Sequence, residues 1–225
     1  MDNLPTHIGI IADGNRRWAK AHNLPTIEGH RRGMNAIEDL VEGIAKAGIP
    51  FASFYIFSTE NWSRSEEEVS YLMKLFATKI LPLAQKMAKN NLKLLFLGSK
   101  KGLNNELLDL IERAEATTAT CTGSTICFCF NYGGEQEIAE AANAALENDG
   151  EITVETLNKN LYHPEVPPVD IIVRTSGEQR ISGFMLWRAA YSEFLFLDKY
   201  FPEMSAKDIP AIIEEYQKRN RRFGK

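Results

Sequence analysis

The chain has 225 residues, 44% hydrophobic and 25% charged, enough to bury one sizeable α/β core and ordinary for a soluble globular protein. Its 30 acidic residues outnumber 26 basic ones, and the formal charge of −4 argues against a general nucleic-acid binder. Three cysteines suit a reducing cytosol better than a disulfide scaffold, and with no signal peptide or uncharged transmembrane run the expected location is cytoplasmic.

The first apolar run, residues 7–12, passes directly into Asp13-Gly14-Asn15-Arg16-Arg17-Trp18. An apolar run, a glycine turn and a basic stretch of helix formers predict strand, turn and helix start. Such a junction leaves backbone N–H groups at the positive end of a helix, where phosphate binds. Arg16 and Arg17 add cationic donors there. Asp13 would repel phosphate, so its presence points to a divalent cation bridging the two. Gly29-His30-Arg31-Arg32-Gly33 brings further cationic and hydrogen-bonding groups close by in sequence.

The second run, residues 51–57, ends in Ser58-Thr59-Glu60-Asn61-Trp62, with Arg64 just beyond. Asn61 offers a donor and an acceptor for positioning a leaving group or a proton. Ser65-Glu66-Glu67-Glu68 has the pattern of a capping box and opens the longest predicted helix. Val69, Leu72, Met73, Phe76, Ile80, Leu83, Ala84 and Met87 then follow at helical spacing. That stripe is either a core face or the wall of an apolar channel, and Pro82 is expected to weaken or bend the helix.

Further runs fall at residues 92–97, 125–131, 169–174 and 194–197. Cys127 and Cys129 alternate on one of them, a pattern of core packing rather than zinc ligation. That run ends in Asn131-Tyr132-Gly133-Gly134, and the next delivers Arg174 into a loop holding Arg180 and Ser182. Two guanidinium groups and a hydroxyl can clamp a diphosphate; salt bridges to Glu178 and Glu193 are the plainer alternative. Glu193 is also a candidate second carboxylate near a metal. The basic ending, Arg219 to Lys225, taken alone reads as a solvated tail.

Strands alternating with helices predict an α/β fold, a single domain over 1–225 with a mostly parallel central sheet of about six strands flanked by helices. Ligands in such folds sit beyond the carboxyl ends of strands, and four of the motifs lie at such ends. Two phosphate-type sites, one metal and an apolar helix suggest two phosphorylated substrates with apolar bodies. Gly-x-x-x-x-Gly-Lys-Ser/Thr, Gly-x-Gly-x-x-Gly and Asp-Asp-x-x-Asp are absent.

Taken together, Asp13-Gly-Asn-Arg-Arg-Trp-Ala, Gly29-His30-Arg31, Phe57-Ser-Thr-Glu-Asn-Trp62, Phe130-Asn-Tyr-Gly-Gly134 and Arg174-Thr-Ser-Gly-Glu-Gln-Arg-Ile-Ser182 resemble the signatures of the cis-prenyltransferase family. Undecaprenyl diphosphate synthase is its typical bacterial member. The resemblance implies a homodimer with an apolar channel that adds isopentenyl diphosphate to an allylic diphosphate such as farnesyl diphosphate. The implied product is undecaprenyl diphosphate, a lipid carrier precursor for cell-wall synthesis. It further implies that Asp13 serves Mg²⁺ and diphosphate departure, with Glu193 close to the metal. Gly14, Asn15, Arg16, Arg17, Trp18 and His30 would hold the allylic substrate. Asn61 and Trp62 would belong to a mobile catalytic loop, with Ser58, Thr59, Glu60 and Arg64 beside it. Arg174, Arg180 and Ser182 would hold isopentenyl diphosphate, while Arg222 and Gly224 would reach the neighbouring subunit's site. Release of the product implies transient contact at the membrane surface, and no nucleic-acid partner is implied.

Three positions depart from the family pattern: Thr26 and Glu135 stand where arginine is usual, and Gly183 where asparagine is usual. Ile56 stands where a small residue often faces the channel, which would shorten the product. The readings kept beside an undecaprenyl synthase are a shorter-chain synthase and a non-catalytic prenyl-diphosphate-binding subunit.

Overall fold

In the computed structural model, which describes residues 4–219, the apolar runs become six strands: β1 His7–Ile11, β2 Phe51–Ser58, β3 Lys93–Leu97, β4 Thr125–Tyr132, β5 Ile171–Arg174 and β6 Glu193–Phe196. They form one sheet in the order β3-β4-β2-β1-β5-β6, and every neighbouring pair is parallel. β1, β4 and β5 are buried at every position. Parallel strands are covered on both faces, which is why these segments are continuous apolar runs rather than alternating ones.

The helices are α1 Asn15–Ala21, α2 Thr26–Ala47, α3 Glu66–Lys89, α4 Asn105–Thr118, α5 Gly134–Asp149, α6 Val154–Asn160 and α7 Ile209–Gln217. On one sheet face Leu40 and Ile44 of α2, Phe76 and Ile80 of α3, Leu110 of α4 and Ile212 of α7 pack with Ile8, Ile10, Phe54 and Phe128. On the other, Val166, Phe184 and Met185 cover Ile11, Tyr55, Ile172 and both sheet cysteines. Cys127 and Cys129 are free and fully buried, and burial pushes the Cys127 thiol up to about 12, as core packing requires.

α3 runs unbroken through Pro82. A proline inside a helix costs about 3 kcal/mol. Phe76 and Ile80 before it, and Leu83, Ala84 and Met87 after it, are buried in the core and hold both halves of the helix down. The capping box before α3 is half made: the Glu68 N–H donates to Ser65 Oγ at 3.4 Å, while the Glu68 carboxylate turns elsewhere.

At the far side of the sheet a buried ion pair ties α5 to the segment before β6. Arg188 donates from Nη1 to Glu137 Oε1 at 2.5 Å, from Nη2 to the Tyr162 and His163 carbonyls, and from Nε to the Val166 carbonyl. Tyr132 donates its hydroxyl to the other oxygen of Glu137 at 2.5 Å.

Candidate active site

Because β4, β2, β1 and β5 are consecutive in the sheet, the four motif-bearing ends lie side by side. Asp13, Ser58, Asn131 and Arg174 thus come from sequence positions far apart to one edge.

The turn after β1 requires glycine. Gly14 has φ 100°, and a Cβ there would sit 2.8 Å from both Ser176 Oγ and a Tyr200 ring carbon. Buried Thr175 stitches this turn to β5, accepting from the Asp13 N–H at 3.1 Å and donating to the Asp13 carbonyl at 2.7 Å. The Asp13 carboxylate receives Arg174 Nη2 at 2.9 Å and Arg17 Nη2 at 3.0 Å. Burial opposes its ionisation, but hydrogen bonds from Arg174 and then Arg17 outweigh that and hold the carboxyl below its usual range.

Arg174 is almost wholly buried and also donates from Nη1 to Ser182 Oγ at 2.8 Å and to the Arg180 carbonyl at 2.5 Å. Its Nε has no partner among the described residues. Arg180 itself is exposed and pairs with Glu178, which also receives Arg17. The salt bridge to Glu178 read from the sequence is thus present for Arg180, while Arg174 and Ser182 are tied to each other.

His30, 8% exposed, places Nε2 3.3 Å from Glu68 Oε1. Burial lowers its pKa below the ordinary 6.5, against the raising effect of that carboxylate. Glu68 also receives Arg64 at 2.9 Å and lies 3.8 Å from Arg16. Local sequence marks Glu68 only as a helix cap; its link to Arg16, Arg64 and His30 is carried by no local pattern.

Three cavities meet at Ala12. One of about 760 Å³ is lined by Asp13, Asn15, Arg16, Arg17, Lys20 and Arg64, among others. A second of about 480 Å³ adjoins it, is lined by Arg174, Arg180, Ser182, Ser58 and Glu60, and shares Asp13, Arg17, Asn61 and Arg64 with the first. The third, about 70 Å³, is apolar and is walled by Met34 and Ile37 of α2, Leu72 and Phe76 of α3, and Ile56 and Phe130. The α3 stripe thus contributes both to the core and to the wall of this apolar cavity. Tyr55, unmarked by any motif, lines both polar cavities and donates its hydroxyl to the Tyr132 carbonyl at 3.2 Å.

Other expected residues are placed differently. Trp18 stacks on His22 at 4.3 Å and is not among the residues lining the three cavities. Thr59 packs on Gly133, where a Cβ would approach its Oγ1 to 2.6 Å. Glu193 pairs in register with Ile171, three residues before the level of Arg174, and accepts from Arg219 at 3.3 Å. It sits at the opposite end of the sheet from Asp13, so a single chain does not bring these two carboxylates together. Arg222 and Gly224 lie outside the described residues. Of the departures, Thr26 lines the larger polar cavity, whereas Glu135 is exposed in the first turn of α5, where a carboxylate suits the helix end. Gly183 has φ 75°, a conformation that asparagine also tolerates.

A family model described as "Putative undecaprenyl diphosphate synthase" matches residues 11–224. The chain belongs to that family. Within it, the chain is 44% identical to the isoprenyl transferase of Neisseria meningitidis serogroup B over 223 residues, covering 99% of this chain and 90% of the relative. It is 43% identical over 230 residues to a ditrans,polycis-undecaprenyl-diphosphate synthase ((2E,6E)-farnesyl-diphosphate specific) of Vibrio parahaemolyticus, covering 99% and 92%. Among solved structures, lavandulyl diphosphate synthase from Lavandula x intermedia in complex with dimethylallyl diphosphate matches with a TM-score of 0.93 at 30% identity, covering 99% of each chain.

Asp13 is the one carboxylate shared by both polar cavities, and no cluster of three metal-ligating side chains occurs among the described residues. Mg²⁺ is commonly held by one or two carboxylates with substrate phosphates and water. The donor set fits that mode and not an all-protein cage.

Proposed function

We propose that this chain condenses isopentenyl diphosphate onto an allylic diphosphate, with farnesyl diphosphate as starter, to form a cis-polyprenyl diphosphate of undecaprenyl type. The observation that carries this reading is the meeting of two cation-lined cavities and one apolar cavity at Ala12–Asp13. Two diphosphates and one hydrocarbon tail are what such a reaction must hold at once.

In this reading Gly14, Asn15, Arg16, Arg17 and His30 hold the allylic diphosphate, and its tail enters between α2 and α3. Arg174, Arg180 and Ser182 hold isopentenyl diphosphate beside it. Held this way, the isopentenyl double bond faces the allylic carbon, and the entropy of bringing the two together is met by binding. Mg²⁺ held by Asp13 and diphosphate oxygens would offset charge on the departing group. Arginine donors aimed at the same oxygens act in the same sense. Asn61, which lines both polar cavities, orients the reacting groups. The proton lost from the isopentenyl unit passes to Asp13 or to the departing diphosphate. The active form is a homodimer. The product is released at a membrane surface.

Product length rests on the apolar cavity, which at about 70 Å³ must widen to take a long chain. Ile56 lines it, as the sequence suggested, and each methylene buried there gains about 0.8 kcal/mol. The test is purified protein with Mg²⁺, farnesyl diphosphate and labelled isopentenyl diphosphate, with products resolved by chain length. A ladder ending in one long species supports the proposal, and Ile56→Ala is expected to lengthen the product. Folded protein that binds both diphosphates yet makes no product would replace this reading with a non-catalytic one.

A further inference from the structure

Asn131 ends β4 in a conformation that only a few residue types accept. Its φ is 50°, in the left-handed region, and its side chain is buried with the residue 4% exposed. Nδ2 donates to the Ser99 carbonyl at 2.7 Å and to the Lys101 carbonyl at 3.1 Å. Oδ1 accepts from Trp62 Nε1 at 2.7 Å. The orientation of this amide is fixed by its partners. A flipped amide would press its oxygen against two carbonyls and its NH₂ against an indole N–H.

Besides the bond from Trp62 to Asn131, the Thr59–Ser63 turn is held by Thr59 packing on Gly133 and by bonds within the turn itself. Its polar side chains bond inward: Asn61 Oδ1 accepts from the Ser58 N–H at 3.1 Å and Ser63 Oγ donates to the Glu60 carbonyl at 2.6 Å. The β2–β4 ladder leading into it slips register twice, between Tyr55 and Phe57 and again between Phe57 and Ser58. Trp62 is 40% exposed, yet its ring edge meets Phe57 at 5.0 Å and its one N–H is spent on Asn131.

We infer that Asn131 is a positioning residue: its amide fixes the Trp62 indole and thereby sets the turn that presents Asn61 to both polar cavities. It acts through Trp62 and touches neither substrate. The β3–α4 loop, through the Ser99 and Lys101 carbonyls, is the anchor against which the turn is held. This inference rests on the prenyl-transfer reading for its consequence on rate, and on geometry alone for the order of Trp62.

The experiment is a double-mutant cycle with Asn131→Gly, which accepts the positive φ without strain, and Trp62→Phe, which removes only the indole donor and its ring extension. Each single variant is expected to lower kcat about tenfold with little change in KM, and the double variant to fall no further than either. Multiplying effects, about a hundredfold for the double variant, would mean that Asn131 acts independently of Trp62 and would overturn the inference. In parallel, 5-fluorotryptophan labelling gives resonances for Trp18, Trp62 and Trp187, with that of Trp62 assigned by Trp62→Phe. Asn131→Gly is expected to shift and narrow the Trp62 line alone; an unmoved Trp62 line would also overturn it. If the unaltered protein makes no prenyl product, the proposed function fails, while the fluorine measurement still decides whether Asn131 orders Trp62. Should Asn131→Gly not fold, Trp62→Phe carries the test, with an unchanged kcat refuting the inference.

Discussion

Two arginine–carboxylate pairs, on different parts of the same sheet, show how one interaction type serves opposite ends. Arg188 and Glu137 are 3% and 1% exposed, and each guanidinium nitrogen of Arg188 has an acceptor. Arg174 and Asp13 are 5% and 25% exposed, and Arg174 Nε has no acceptor among the described residues. The first pair is closed off from solvent, with every guanidinium nitrogen engaged. The second leaves a buried nitrogen without a partner, and a partly exposed carboxylate, at the meeting point of the polar cavities. Burial with every nitrogen engaged marks structure here, and partial exposure with an unengaged nitrogen marks the candidate site.

The comparison breaks most visibly if activity and stability fail together. Asp13→Ala is expected to reduce isopentenyl incorporation by about a thousandfold or more, the scale of losing preorganised charge stabilisation, while the protein stays folded by circular dichroism. Arg188→Met should do the reverse. Leaving Glu137 buried without its partner costs about 3–5 kcal/mol in urea denaturation, with the activity per folded molecule nearly kept. Adding Glu137→Leu to Arg188→Met is expected to recover much of that loss, since an apolar pair can replace a buried ionic one.

A smaller effect sharpens the same contrast. Arg174→Lys keeps the charge but loses the planar fork that reaches Asp13, Ser182 and the Arg180 carbonyl together. A loss of about 1.5–3 kcal/mol is expected, read as a higher KM for isopentenyl diphosphate in steady-state kinetics. The smallest effect is in pH. The Asp13 carboxyl is depressed, so its stabilising contribution is present above the unfolded value of 3.8 and is lost as pH falls through the lower folded value. The stability gap between the unaltered protein and Asp13→Asn should hold from pH 7 down to about pH 4 and close below it, which urea titrations at pH 7 and pH 3 would show.

The strands were legible in the sequence because burial on both faces makes each one an uninterrupted apolar run, and observed and expected boundaries differ by only a residue or two. The chemistry at the strand ends was legible too, because glycine turns beside arginines have few other uses. What could not be read was adjacency. That Asp13 and Arg174 touch follows from β5 crossing over to lie beside β1, and nothing local to either residue encodes it. Glu68 escaped because its capping position offered a sufficient local explanation. Arg188 and Glu137 escaped because a charged residue reads as surface unless its partner is known. Glu193 shows the same limit in reverse: its register beside Ile171 sets it at the opposite end of the sheet from Asp13 within one chain, and strand direction is not written in the local motif.

The central position of β1 also bears on how the chain is made. β1 emerges first from the ribosome, yet one of its two neighbours, β5, emerges only after some 160 residues more, the separation of Asp13 and Arg174 being 161. Until then that edge of β1 has open backbone groups and the Asp13 carboxylate lacks its buried partner. Contacts of such long sequence separation form late, because loop closure must precede them. Synthesis of β5 therefore covers the open edge of β1 and brings Arg174 to Asp13 in one event: a chain that stops short of β5 has an unclosed strand edge, prone to pairing with other chains, and lacks the Arg174–Asp13 pair.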